Sequence, residues 1–410
     1  MAVSVLLLTQ WFDPEPTFKG MVFARELVRQ GFDVEVLTGF PNYPGGRIYP
    51  GYRMRWLQRE TIDGVRVTRV PLYPSHDRSA IQRVLNYVSF AASALFYGLF
   101  AIRRCDVIYA YHPPLTVGIV ASLIRLFRRI PVVYDIQDMW PDTLRATGMI
   151  SNARALSLVD AVCKWVYRRV DRIVVLSPGF KRLLLERGVP ADKVDVICNW
   201  ADEASLSAPT GTLPDTFPGP DRFRLVFAGN MGKAQALGAV LEAAVLLQAR
   251  ESRISFVFVG GGVEVDGLKR KAAERALRNV TFIPAVPMAE VGTLLDAADA
   301  LLVHLRCDPL FKITIPSKTQ AYMAVGKPLL MAVDGDAADL VRESGGGVVA
   351  ASEQAEAIAE AAQSLAALSP EARFAMGQRA LAYYRERLAL GVGVARFGDI
   401  FRRLATGSSK

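Results

Sequence analysis

The chain has 410 residues, 51% of them hydrophobic and 22% charged, with a net charge of +9. That balance excludes a disordered or fibrous chain and leaves room for two or three domains with full cores. The positive excess favours an anionic partner, a phosphorylated substrate or an anionic lipid surface; no Lys/Arg run with interleaved aromatics offers an RNA-binding face, so nucleic acid is not expected.

Four cysteines, Cys105, Cys163, Cys198 and Cys307, stand far apart without a CxxC. They fit a reducing compartment and argue against a disulfide framework or a zinc site. The apolar run at 3–8 lacks a basic flank and a cleavage site, so a signal peptide is not expected.

The first half opens with a strand at 3–9, a Pro-rich loop from Trp11 to Gly20, a helix at 21–30 stopped by Gly31, and a strand at 33–38. Further strands are expected at 65–70, 106–111, 132–136, 172–176 and 194–198, alternating with helices near 115–128, 153–168 and 178–187. Such alternation predicts a parallel, doubly wound sheet. Residues 201–221 are polar and Pro-rich and read as a linker.

Alternation restarts with strands at 224–228, 254–259, 280–283, 300–304, 329–333 and 347–350. Helices are expected near 235–249, 264–277, 289–297, 317–325 and 336–343, and a helical tail at 355–367, 370–387 and 391–405. The organisation is therefore α/β: residues 1–200, the linker 201–221, residues 222–385, and a C-terminal helix over 386–410 expected to pack back on the first domain. Two Rossmann-like domains face a central cleft at the C-terminal ends of their strands, where open α/β sheets bind ligands.

Candidate site residues follow the strands. In the second half, Gly229-Asn230-Met231-Gly232-Lys233 follows the strand at 224–228, but neither GxxxxGK[ST] nor GxGxxG is present. Gly260-Gly261-Gly262 follows the next strand, either to admit a nucleotide or as a plain flexible turn. The run Pro316-Ser317-Lys318-Thr319-Gln320 opens a short helix, and Lys312 precedes it. A helix start favours a phosphate or carboxylate; the plainer reading is Ser317 as an ordinary N-cap with Lys318 in solvent. Together Lys233, Lys312 and Lys318 make this half the expected diphosphate binder.

In the first half, Lys19-Gly20, Tyr111-His112 and Gln137-Asp138-Met139-Trp140 follow strands. A carboxylate, an amide and an aromatic at one strand end suit a sugar, while Asp138 also reads as an N-cap and His112 as a buried, hydrogen-bonded ring. His304 lies in an apolar strand and reads as structural; His76 reads as a loop residue.

These residues carry a family resemblance. The loop from Pro14 to Gly20, the stretch from Ile136 to Asp142, the Gly229 turn with Ala234-Gln235, Gly260-Gly261-Gly262, and Pro316 to Pro328 together resemble the retaining glycosyltransferases of GT-B fold, family 4. Within it the chain is similar to bacterial surface-polysaccharide enzymes related to N-acetyl-L-fucosamine transferases. The run Pro316-Ser317-Lys318-Thr319-Gln320-Ala321-Tyr322-Met323-Ala324 is its most specific part.

The resemblance implies a nucleotide-sugar donor, plausibly UDP-linked, held mainly by the second domain, and an acceptor held by the first. It implies no cofactor and no catalytic metal. Donor contacts are expected from Lys19, Gly20, Gly229, Asn230, Lys233, Gly260, Gly261, Lys312, Ser317, Lys318 and Asp339, with Asp138, His112 and Gln137 at the reacting centre.

Two departures stand out. The family's glutamate pair falls on Ile313 and Ala321, leaving Asp334, Asp336 or Asp339 to hold hydroxyls. Its usual sugar-contacting histidine is Gln137 here.

Residues 87–102 are sixteen uncharged residues flanked by Arg78, Arg83, Arg103 and Arg104. A membrane-spanning helix needs about 20, so the stretch is either a helix lying in the membrane interface or a buried helix covering the sheet. Arg47, Arg53, Arg55 and Arg59 with Tyr49, Tyr52 and Trp56 form a second basic-aromatic stretch, for lipid headgroups or as a solvated loop.

The expected protein is a cytoplasmic glycosyltransferase, peripheral on the inner face of the cytoplasmic membrane. It would move an N-acetylated or deoxy sugar to a polyprenyl-diphosphate-linked acceptor. A nucleotide-sugar 2-epimerase of the same architecture and a non-catalytic nucleotide-sugar or membrane-binding subunit are the alternatives.

Overall fold

The computed structural model describes residues 2–75, 80–206 and 211–407. His76 and Arg78 lie outside the described residues. The chain divides into two compact units: residues up to Ile197 with those from Gly393 onward, and Cys198–Val392.

The first unit holds β1 (Ser4–Leu8), β2 (Asp33–Gly39), β3 (Gln58–Ile62), β4 (Val65–Val70), β5 (Val107–Tyr111), β6 (Val132–Ile136), β7 (Arg172–Val175) and β8 (Val194–Val196). Their order is β3-β4-β2-β1-β5-β6-β7-β8. Every residue of β5 and β6 is buried, which is why these strands are apolar along their length, save for Asp135 in β6, rather than alternating.

The exception is β3, antiparallel to β4 and not expected. Its sequence QRETI has one apolar residue. Asp63 and Gly64 both take positive φ (49° and 81°), the backbone that a two-residue hairpin turn needs. Charged side chains suit an edge strand, because they discourage further pairing.

The last helix, Leu390–Gly407, belongs largely to this unit. Phe397 packs on Phe23 and Tyr109 (ring centroids 5.4 and 5.6 Å), and Phe401 on Phe32 (6.0 Å).

The second unit holds β9 (Phe223–Ala228), β10 (Ile254–Val259), β11 (Val280–Ile283), β12 (Ala300–His304), β13 (Leu329–Ala332) and β14 (Gly347–Val349). All pair in parallel in the order β11-β10-β9-β12-β13-β14. Period-2 alternation splits the core. Leu225 and Phe227 join one apolar layer with the helix Gly238–Ala249, while Val226 and Ala228 join the other with Tyr322 and Met323.

The stretch 201–221, read as a linker, contains a helical turn, Glu203–Leu206, and Phe217, which is buried in this unit's core. Tyr384 donates to Glu203 (2.7 Å) and accepts from the Ala201 N–H (3.0 Å), so these residues are part of the second unit.

Candidate functional site

In the first unit the chemistry gathers on Asp135, the buried penultimate residue of β6. Its Oδ2 accepts from Lys19 Nζ (2.5 Å) and from the Tyr109 hydroxyl (2.5 Å), and its Oδ1 from Gln137 Nε2 (2.7 Å). The Lys19 side chain is fully buried and its amine lies 4.7 Å from the Phe397 ring. Lys19 therefore presents no open charge to a diphosphate; its amine neutralises Asp135, because a buried carboxylate without a partner would cost several kcal/mol. Gly20 has a local reason too: a Cβ there would collide with Asp13, whose Oδ2 accepts from the Met21 N–H (2.6 Å) and starts the helix Met21–Arg29.

Beyond β6, Asp138 is half-buried and makes no side-chain hydrogen bond among the described residues; burial pushes its carboxyl above the usual range. His112, after β5, is 2% exposed. Its ring sits edge-on to Trp140 (5.1 Å) and Tyr134 (5.9 Å), and its Nδ1 has no hydrogen-bond partner among the described residues. Burial lowers its pKa to about 3. The ring stays neutral, so it can hold a hydroxyl but is a poor proton acceptor.

A second buried polar chain holds the loops after β1 and β2. Gln10 Nε2 donates to Asn86 Oδ1 (2.5 Å), and Asn86 Nδ2 donates to Asn42 Oδ1 (3.2 Å). Glu15 accepts from the N–H groups of Phe12 (3.2 Å), Asn42 (2.7 Å) and Tyr43 (2.8 Å), and burial raises its pKa to about 7. Neither group was singled out from the sequence, because most of its partners lie tens of residues away.

In the second unit the turn after β9 carries the site. The Gly229 N–H donates to Val259 O (2.8 Å) and the Met231 N–H to Gly261 O (2.7 Å). Gly229 and Gly260 take φ near +130° (129° and 133°), and a Cβ on Gly260 would collide with the Gly229 carbonyl. The two glycine turns thus interlock, which only glycine permits. Lys318 Cε lies 2.8 Å from where a Gly229 Cβ would be, and its amine is 4.8 Å from the Phe227 ring centroid. Among the described residues it has no carboxylate partner. Burial lowers its pKa to about 8.

Tyr322 fixes this arrangement. Its buried hydroxyl accepts from the Ala228 N–H (2.8 Å) and donates to Ala228 O (3.2 Å), tying the helix Ser317–Val325 to the end of β9.

The helix start differs from the sequence reading. Its N-cap is Pro316 with no side-chain cap, so Ser317 is the first helical residue and its exposed hydroxyl does not cap. Among the described residues Thr319 Oγ1 and Gln320 Oε1 are buried without partners. The Thr319 N–H donates to Pro316 O (2.9 Å); with no side chain capping the turn, the Ser317 and Lys318 N–H groups keep the character that attracts anions.

The structure gathers Gly229, Gly260, Gly261 and Lys318. Asn230 and Lys233 are exposed on the same turn. Lys312 reaches Asp334 at 3.9 Å, and Asp339 pairs with Arg342 at 2.8 Å on an exposed helix face. His304 is structural: its Nδ1 contacts Gln235 O (2.6 Å), and its Nε2 accepts from the Glu353 N–H (3.2 Å). Among the described residues no three His, Cys, Asp or Glu side chains converge as a metal site would require.

Two family models match. The glycosyl transferase 4-like domain covers residues 21–200 and glycosyl transferases group 1 covers 215–382. WcaI of Escherichia coli (strain K12), named as a colanic acid biosynthesis glycosyl transferase, is 29% identical over 316 residues, 73% of this chain and 75% of its own. The Pseudomonas aeruginosa glycosyltransferase WbjE is 28% identical over 239 residues, 57% of this chain and 58% of its own. This chain thus spans three quarters of WcaI and little more than half of WbjE.

Among solved structures, Anabaena HepE in complex with UDP-glucose superposes with a TM-score of 0.68 at 14% identity, covering 98% of this chain and 99% of HepE. A Burkholderia vietnamiensis α,α-trehalose-phosphate synthase (UDP-forming) reaches 0.76 at 14% identity, covering 100% of both chains. At such identities the likeness is one of fold.

Proposed function

The chain belongs to the GT-B glycosyltransferases of family 4, and on that premise we propose that it moves a sugar from a UDP-sugar to a lipid-linked saccharide during assembly of a bacterial surface polysaccharide, with retention of anomeric configuration. The names of WcaI and WbjE support the glycosyltransferase part of this reading, the colanic acid biosynthesis in WcaI's name supports the polysaccharide part, and the UDP-glucose held by HepE supports the choice of UDP.

The observation that carries the donor assignment is Lys318, a largely buried amine against the backbone of Gly229 with no carboxylate among the described residues to balance it. In glycosyl transfer the bond from C1 to the diphosphate oxygen breaks, a bond from C1 to the acceptor hydroxyl forms, and that hydroxyl's proton leaves. Negative charge builds on the departing β-phosphate. A fixed cation in a partly water-excluded position stabilises that charge with little reorganisation. Lys233, Asn230 and the uncapped start of the helix Ser317–Val325 would add donors to the same diphosphate. The interlocked glycine turns let backbone approach it.

Asp138 is proposed to receive the acceptor proton or hold a sugar hydroxyl, since burial makes its carboxylate more basic than usual. His112 would hold a hydroxyl as a neutral ring. Gln137 and Lys19 keep Asp135 oriented beneath them. The enzyme would work as a peripheral protein on the inner face of the cytoplasmic membrane, where a polyprenyl-diphosphate acceptor presents its saccharide.

The test offers radiolabelled UDP-sugars to the purified protein with bacterial membrane lipid extract. Label should enter the lipid fraction with release of UDP. Conversion of the free donor without lipid would replace this reading with an epimerase. Absence of both transfer and donor binding would point to a non-catalytic subunit.

A further inference from the structure

The helix Ala80–Phe100 is half a core helix. Its inner side buries Asn86, Phe90 and Ala94. Its outer side exposes Ile81 (74%), Val84 (56%), Leu85 (49%), Val88 (52%), Phe96 (59%) and Phe100 (76%). Spacings of three, four and eight residues place these on one stripe, with exposed Ala92 in the eight-residue gap. The helix has one charged residue, Arg83, and no acidic one. A continuous apolar stripe on the surface of a protein is uncommon unless something covers it. No helix among the described residues is long and apolar enough to cross a membrane.

The helix cannot turn this stripe inward. Asn86 is hydrogen-bonded to Gln10 and Asn42 and donates to Tyr73 O (2.7 Å). At the far end Gly98 packs so closely that a Cβ would collide with Ile124, and Arg128 donates to Gly98 O (3.0 Å). Alongside the last turns runs the segment bearing Trp56, 85% exposed. Tyr97 donates to Trp56 O (2.7 Å), and Arg59 donates to Ala101 O (3.3 Å). Exposed Arg53, Arg55 and Arg59 flank Trp56, and Arg103 and Arg104 follow the helix.

We propose that this stripe, with Trp56 and the arginine rim, is an in-plane docking surface for an anionic phospholipid bilayer. The apolar stripe would enter the acyl boundary, Trp56 would sit at headgroup level, and the arginines would meet lipid phosphates. Charge complementarity selects the bilayer over a second copy of the chain, since two like arginine rims would repel. The inference rests on the lipid-linked acceptor proposed above and names how the protein reaches it.

The test is vesicle co-sedimentation of the full chain without donor or acceptor. It uses vesicles of phosphatidylcholine alone or mixed with phosphatidylglycerol, at low and high salt. Wild type should bind the anionic vesicles at least tenfold more tightly than the neutral ones, and high salt should weaken binding. The variant Val84→Ser/Val88→Ser/Phe96→Ser should lose binding at least tenfold while its melting temperature and UDP affinity stay those of wild type. Arg53→Gln/Arg55→Gln, away from the helix, should lose the preference for anionic lipid. No binding by wild type, or equal binding by the triple variant, overturns the proposal. So does concentration-dependent dimerisation that the triple variant abolishes, which would assign the stripe to a second copy. UDP affinity reads the donor site separately, so each proposal can fail alone.

Discussion

Lys318 makes the sharpest prediction at the residue scale, because its two protonation states differ in what they can bind. Burial lowers its pKa from the ordinary lysine value of 10.5 to about 8. Below pH 8 the amine is charged and ready for a diphosphate; above it the free protein must first take up a proton. UDP affinity should be flat up to pH 8 and then fall by up to about tenfold per pH unit, since each unit is about 1.4 kcal/mol. The stability of the unliganded protein runs the other way. Between pH 8 and 10.5 the unfolded chain holds the proton and the folded one does not, so this group adds stability as pH rises. Titration calorimetry and thermal melts across that window check both signs. Lys318→Ala should lower turnover roughly 100-fold, as losing one preorganised donor to a developing anion costs about 3 kcal/mol. Asp138→Asn, which keeps shape and removes the base, should reduce turnover while leaving UDP affinity within about twofold; a loss of UDP affinity would assign Asp138 to the donor instead.

At the scale of elements, the joint between the helix Ser317–Val325 and β9 decides whether that lysine is in place. Tyr322→Phe keeps the ring and leaves both Ala228 backbone groups without their partner. It should destabilise the protein by about 1–3 kcal/mol and weaken UDP binding, both measurable by chemical unfolding with and without UDP. Full stability with normal UDP binding would show that the hydroxyl does not hold the joint.

This element was legible in the sequence as strand, turn and helix, because β12 and β13 are fully buried apolar runs around a polar turn. The role of Tyr322 was not legible, since an aromatic inside a helix reads as ordinary core. Edge strand β3 was missed because four of its five residues are polar. The signal that could have found it is Asp63-Gly64, a hairpin dipeptide between Ile62 and Val65. The stretch 87–102 was read as either an interfacial or a buried helix; the helix Ala80–Phe100 that holds most of it has a packed inner side and a bare outer side.

Over the whole molecule, two parallel sheets and most of their helices follow from strand-helix alternation, because strands buried on both faces cannot hide their composition. The glycine turns after β9 and β10, and the lysines after β9 and β12, were legible for the same reason: they are what remains when the strands are removed. Pairings across long separations were not. Lys19 was expected at a donor phosphate, and its partner Asp135 lies 116 residues away. No local pattern reports such a pair. The division of the chain at Ile197 and Gly393 likewise depends on contacts made by its last helix.

The central claim is a donor-diphosphate site built around Lys318, and the most direct test is thermal stabilisation of wild type and Lys318→Ala by UDP. Ligand at about 100 times its dissociation constant should add about 2.7 kcal/mol to the wild type. That shift is expected for wild type and little or none for the variant, whose own melting temperature is unchanged or higher because a buried cation without a carboxylate partner among the described residues has been removed. Equal stabilisation of both proteins, or none of a cooperatively folded wild type, would contradict it.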